Sequence, residues 1–271
     1  GCRKLAEHSE LQSGIPDIKG FRKLTVLLFE YYSVWYSDGL LSASKYLEDL
    51  YCTRAKRTGR SKLPVLYFPY AFSENLHQPV RLGVDHPLNR KYQGKRVFLH
   101  LGTITRNYGA FTMIRAFEQL PHLRDQARLV LIGRGRHLEE AKSYILSRKL
   151  TDYIELPGFV EEEDIRYYFS VASAFISPMN DTVQDWARCP SKLFMYLPYR
   201  KPVLTCRIGE PMTVLNGAAV YYKSGSANDM AHQIENMFTQ NEWEADSKPH
   251  LHSWNQRTKE FDSWIRSRFN K

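Results

Sequence analysis

Several things are missing from this chain, and each absence removes a class of function. Its four cysteines, Cys2, Cys52, Cys189 and Cys206, lie far apart with no paired metal spacing. That pattern fits a reducing compartment better than a disulfide framework or a zinc site, so no metal is expected. No run of about eighteen apolar residues occurs, so no spanning helix is expected, and no basic-then-apolar leader opens the chain. Repeats and low-complexity tracts are absent. No nucleophile elbow or zinc-type spacing supports hydrolase chemistry. Basic residues do not alternate with aromatics on the expected strands, which argues against a nucleic-acid partner.

What is present is a globular composition: 271 residues, 43% hydrophobic and 25% charged, enough for one or two domains with a real core. The net charge of +9 favours anionic partners such as nucleotide phosphates or an acidic lipid surface. A cytoplasmic protein is expected, with peripheral contact at a membrane surface left open. From Arg96 onward the pattern is regular. Apolar strands are expected at 97–101, 128–132, 154–156, 174–177, 202–206 and 218–222. Helices are expected between and after them at 109–120, 137–148, 162–172, 191–197, 211–215 and 227–238. This alternation predicts an α/β fold built on a doubly wound parallel sheet, with all strand C-termini on one ligand-binding edge.

The N-terminal part is less complete. Residues 21–36 predict a helix buried by partners, 38–42 and 63–70 predict strands, and Ser44 is a helix cap before 45–51. This is too little for an independent α/β domain, so the rest is expected upstream or from another chain. Residues 74–95 are polar and rich in turn formers, as expected of a linker. The tail, 253–269, places Trp254, Phe261, Trp264 and Ile265 on a broad amphipathic helix.

The stretch 175–215 carries the chemistry. An apolar strand end gives way to a polar loop, then to a helix opening near Pro190, a second buried strand and a turn at Gly209-Glu210. Arg188 and Lys192 flank Pro190 at the loop-to-helix junction, where two cations join a helix N-terminus in an anion-binding position. From this stretch alone, two solvated surface cations are an equal reading.

The order of pieces resembles the second domain of GT-B-fold retaining glycosyltransferases of the group 1, or family-4-like, type. The residues carrying the likeness are VFLHLGTITRNYGAFTMIRAFEQL (97–120), ARLVLIGRG (127–135), YIELPGFVEEEDIRYYFSVASAFISP (153–178) and the stretch through 215. DGLLSASKYLEDLY (38–51) and PVLYFPYAFS (64–73) resemble the end of that family's first domain. The resemblance implies a remnant of an acceptor-side domain at 1–73, a linker at 74–95, and a Rossmann-like donor domain at 96–250. A helix at 251–271 then crosses back toward the N-terminal portion.

By the same resemblance the donor is a nucleotide diphosphate sugar, used without a metal or other cofactor. Arg188 and Lys192, within an R-x-P-x-K-L-x-E-Y form that keeps all but its Glu, are implied as the catalytic diphosphate ligands. Gly102 matches a glycine after the first strand. Thr103 and Tyr108 stand where the family has Arg and Lys, leaving Arg106 as the substitute. Gly133, Gly135, Phe159 and Val160 match donor-loop positions, and Pro190 and Gly209 flank the same site. The family's E-x7-E glutamates fall on Ala187 and Met195, with Glu210 a candidate to fill the gap and Asp181 a candidate partner for sugar hydroxyls. His8 is the one acceptor-side candidate.

The implied function is transfer of a hexose-type sugar, with retention, to a cell-surface polysaccharide or glycolipid acceptor. The implied partners are a nucleotide sugar, a glycan or lipid-linked acceptor, and a protein supplying the missing N-terminal half. The alternative is a degenerate relative that acts as a nucleotide- or protein-binding module.

Overall fold

The computed structural model describes residues 2–239 and 245–269. The last residues of the expected 251–271 helix, and 240–244 within the expected 96–250 domain, lie outside the described residues.

Two parallel sheets organise the chain. The larger is built from β4 (Arg96–Leu101), β5 (Ala127–Ile132), β6 (Ile154–Gly158), β7 (Ala174–Ser177), β8 (Val203–Thr205) and β9 (Ala219–Tyr221). Its order is β6-β5-β4-β7-β8-β9, so the chain winds outward in one direction from β4 and in the other from β7. The strands alternate in facing. Phe98, Leu129 and Leu131 pack with α4 (Ala110–Glu118), α5 (Leu138–Ser147) and α10 (Ala227–Phe238). Val97, Leu99, Val130 and Ile132 pack with α6 (Glu162–Val171) and α8 (Ser191–Tyr196) on the opposite face. Both faces are therefore covered, which is why the strands read as continuous apolar runs.

The smaller sheet is β1 (Leu5–His8), β2 (Gly39–Ser42) and β3 (Val65–Tyr67), in that order. Strand β1 is not among the expected strands because its residues, Leu-Ala-Glu-His, carry too little apolar character to stand out. Between these strands run α1 (Gly20–Tyr36) and α2 (Lys45–Arg57). Helix α1 is anchored through Glu30, which is buried, ion-pairs with Arg54 at 2.8 Å and accepts hydrogen bonds from the Ser13 amide and hydroxyl. The burial by partners expected for the rest of α1 is not supplied by the described residues: Phe21, Leu24, Leu28, Phe29, Tyr32 and Trp35 are all exposed.

The segment expected as linker contains a short helix, α3 (Pro87–Tyr92), capped by His86. The last helix, α11 (Trp254–Phe269), returns to the smaller sheet. Phe261 packs on Phe68 at 5.6 Å, and Trp264 lies where a Cβ on Gly39 would meet it at 2.8 Å. No helix among the described residues is long and apolar enough to cross a membrane.

Candidate functional site

The winding reverses between β4 and β7, the position at which a doubly wound sheet takes its ligands. Three close approaches shape it. A Cβ on Gly133 would stand 1.9 Å from the Gly102 carbonyl oxygen, and one on Gly135 would stand 2.3 Å from the Ile104 carbonyl oxygen. At Gly109 (φ +76°) a Cβ would meet Pro178 at 2.5 Å. Glycine at 133 and 135 thus allows the loops after β4 and β5 to touch backbone to backbone.

Gly102 differs. A Cβ there would meet no backbone; it would lie 3.1 Å from His100 Nε2 and 3.2 Å from Lys192 Nζ. The space over Gly102 is therefore bounded by side-chain nitrogens. Lys192 reaches it from the first turn of α8, whose N-cap is Pro190. Tyr196, one turn on, fixes the helix: the Leu101 amide donates to its hydroxyl at 3.1 Å, and its ring stacks on Phe175 at 4.1 Å. Lys192 is half-buried, and burial first, then the Arg188 guanidinium, pushes its pKa down to about 7.

Arg188 follows α7 (Val183–Ala187), a short helix capped by Thr182 that the sequence shows only as polar loop. Its guanidinium pairs with the buried Asp185 at 2.9 Å and lies over the Tyr108 ring at 4.9 Å. Tyr108 and Asp185 therefore hold this cation, and sequence reasoning missed both roles. An aromatic platform at 108 is compatible with the absence of the lysine that the resemblance leads one to expect there.

Other candidates lie elsewhere or are occupied. Arg106 is paired with Glu140 and stacked on Phe111 at 4.4 Å. Thr103 is exposed beside Gly102. Phe159 is exposed with the Arg134 guanidinium 4.5 Å over its ring, and Val160 packs into the core behind it. Asp181 accepts from the Trp186 indole at 2.8 Å. Met195 packs against the α6–α8 core. Gly209 (φ +61°) lets the loop after β8 lie against the Asp185 and Trp186 carbonyls.

Two candidates have different work from that expected. Glu210 is buried, accepting from the Lys45 amide at 2.6 Å and from the Tyr67 hydroxyl at 2.8 Å. Its carboxylate therefore caps α2 and ties the two sheets together, and is not free for a ribose. His8 has both ring nitrogens engaged, with Ser33 and Tyr51, each at 2.8 Å. Burial pushes its pKa down to about 4, and in this structure its two nitrogens are spent on bonds within the smaller sheet's unit. Among the described residues no three His, Cys, Asp or Glu side chains converge as a metal site would require.

The arrangement is a strand-end site with Lys192 over Gly102 and Arg188 held beside it by Asp185 and Tyr108, suited to a doubly charged leaving group. Comparison with known proteins agrees with the fold. No curated protein sequence matches the chain. Among solved structures, sucrose-phosphate synthase from Thermosynechococcus elongatus superposes with a TM-score of 0.74 at 18% identity, over 98% of this chain and 68% of that one. HepE from Anabaena, solved with UDP, gives 0.74 at 15% identity over 97% and 72%. A glycosyltransferase from Rickettsia africae gives 0.70 at 14% over 97% and 70%. These likenesses establish the GT-B fold. The family pattern described as glycosyl transferases group 1 matches residues 85–261, most of the sequence, and the chain belongs to that family.

Proposed function

We propose that the crevice between β4 and β7 binds a nucleotide diphosphate sugar, and that Arg188 and Lys192 stabilise the diphosphate as it leaves. The observation that carries this reading is the placement of both cations at the sheet's reversal point, one of them over the gap that Gly102 leaves. When the glycosidic bond breaks, its electron pair departs with the diphosphate and negative charge grows on the phosphate oxygens. Cations already fixed in place stabilise that growth more than they stabilise the bound donor, which is what lowers a barrier. The two side chains and the loop amides supply this charge without a metal. Phe159, backed by Arg134, is suited to border the base.

The related structures support the substrate class: HepE has been solved with UDP-glucose, and Staphylococcus aureus TarM with UDP and a GlcNAc-glycerol. In this reading residues 1–73 are the acceptor side, 74–95 a linker, 96–250 the donor domain, and 251–271 the returning helix. A glycan or lipid-linked acceptor approaches from the smaller sheet. A depression of about 520 Å³ lies on that side, bordered by Leu11, Ile15, Ile18 and Val183 with Lys19 and Lys23 at its margin. Its apolar walls and basic rim suit an acceptor with a hydrophobic and an anionic part, at a cytoplasmic membrane face. Transfer of a hexose-type sugar with retention is part of the same proposal.

Met195 supports a second reading. It places a thioether in the apolar core where the family's ribose-binding carboxylate is expected, and Glu210 does not replace it. A chain that binds nucleotide without transferring sugar is consistent with that. Turnover separates the two. With a panel of UDP- and GDP-sugars, the wild type should release nucleotide, and Arg188→Ala or Lys192→Ala should each reduce release by roughly a hundredfold or more. Nucleotide binding with no release by the wild type would favour the binding module. Unchanged release in both variants would overturn the assignment of the cations.

A further inference from the structure

His100 is a residue for which neither the fold nor the family likeness has a use. It lies on β4, fully buried, in a strand that is otherwise apolar between its ends. An imidazole there loses its hydration and needs partners for both nitrogens. Nδ1 lies 3.0 Å from the Ile176 carbonyl oxygen on β7. A carbonyl oxygen can only accept, so Nδ1 carries the proton and Nε2 is left as a bare lone-pair acceptor. Nε2 is buried and has no protein partner. It faces the space over Gly102 on which Lys192 Nζ also converges, 3.1 and 3.2 Å respectively from the point a Cβ would occupy. The tautomer, the orphaned acceptor and the missing Cβ all lead to one place.

We propose that His100 is a positioning residue for the donor site: its Nε2 accepts a hydrogen bond from one water in the space over Gly102, which in turn accepts from the Lys192 ammonium, and so aims the ammonium at the diphosphate. This rests on the reading of the crevice as a donor site. The charged groups around the pair are Lys192, Arg188 and Asp185. Burial, followed by the nearby Lys192, holds His100 well below its usual pKa, so it stays neutral and acts as an acceptor, not as an acid or base. Gly102 is required because any side chain would fill the gap in which the two nitrogens meet.

The test is calorimetry of UDP against uridine, and of GDP against guanosine, from pH 6 to 9, on the wild type, His100→Phe and His100→Gln. In the wild type the preference for the diphosphate over the nucleoside should weaken as the pH rises through about 7. Loss of an acceptor for a charged donor should cost His100→Phe roughly tenfold in diphosphate affinity, with nucleoside affinity unchanged. It should also move the falling limb to lower pH, because the ammonium has lost a partner. His100→Gln, whose amide oxygen can stand near the Nε2 position, should recover most of both. A purely packing role would leave the pH limb in place. Should the phenyl ring unfold the strand, His100→Leu gives the same reading. A folded variant with unchanged diphosphate preference and an unmoved limb overturns the inference. A wild type that binds neither diphosphate better than its nucleoside instead overturns the donor-site reading, and this inference with it.

Discussion

At the scale of single residues, the site depends on a lysine held close to its own titration point. Burial and the Arg188 charge lower Lys192 to about 7, so near neutral pH a substantial fraction is uncharged in the free protein. A bound diphosphate would raise that pKa, so binding at pH 7.5 should take up a proton. Calorimetry in buffers of different ionisation enthalpy should show this uptake in the wild type and none in Lys192→Met. The same shift acts on stability with a definite sign. The folded pKa lies below the usual lysine value of 10.5, so the unfolded chain binds more protons between about 7 and 10.5 and Lys192 makes stability rise with pH across that window. Arg188, Lys192 and Gly102 were legible in the sequence because their spacing about Pro190 and after a strand survives without coordinates. Tyr108, Asp185 and His100 were not, because each acts through a partner from another loop or strand, or through a carbonyl that no residue pattern displays. Glu210 shows the converse: a carboxylate in the right stretch whose hydrogen bonds go to Lys45 and Tyr67.

At the scale of elements, short pieces with strong caps do much of the positioning. Ser44 caps α2 by accepting from the Leu47 amide at 3.1 Å, and its hydroxyl donates to the Ala187 carbonyl at 2.6 Å at the end of α7. One side chain therefore closes a helix and joins the two sheets' units. Ser44→Ala should cost roughly 1–2 kcal/mol, measured by urea unfolding. A smaller loss than about 0.5 kcal/mol would mean the contact with Ala187 contributes nothing. Gly133→Ala should do damage of a different kind, since its Cβ would collide with the Gly102 carbonyl. We expect more than about 1 kcal/mol of destabilisation together with weaker diphosphate binding, because the loop under Lys192 must move. The larger sheet was readable in advance because its strands are continuous apolar runs that alternate with amphipathic helices. Helices α3 and α7 were not, since a single turn of helix leaves no periodic signal and is fixed by caps and neighbours.

At the scale of the whole molecule, the larger sheet is covered on both faces, while α1 leaves a broad apolar stripe uncovered. Phe21 is 84% exposed, Phe29 69% and Trp35 55%, and the one acidic residue of α1, Glu30, is buried. A contiguous aromatic face of this kind promotes association. As an isolated polypeptide the chain should self-associate with rising concentration in sedimentation velocity, and Phe29→Lys with Trp35→Lys should suppress this. A monomer at all concentrations would contradict it. None of this touches the crevice, which lies at the reversal point of the other sheet. The central claim, that Arg188 and Lys192 hold a diphosphate there, is tested most directly by the ratio of diphosphate to nucleoside affinity, measured calorimetrically for UDP with uridine and for GDP with guanosine. The account predicts that the wild type prefers one diphosphate by at least a hundredfold and that Arg188→Ala and Lys192→Ala each remove most of that preference in protein that remains folded, Arg188→Ala with a lowered melting temperature because Asp185 is left buried without its cation. Equal affinity for diphosphate and nucleoside in the wild type, or a preference that survives both substitutions, would contradict it.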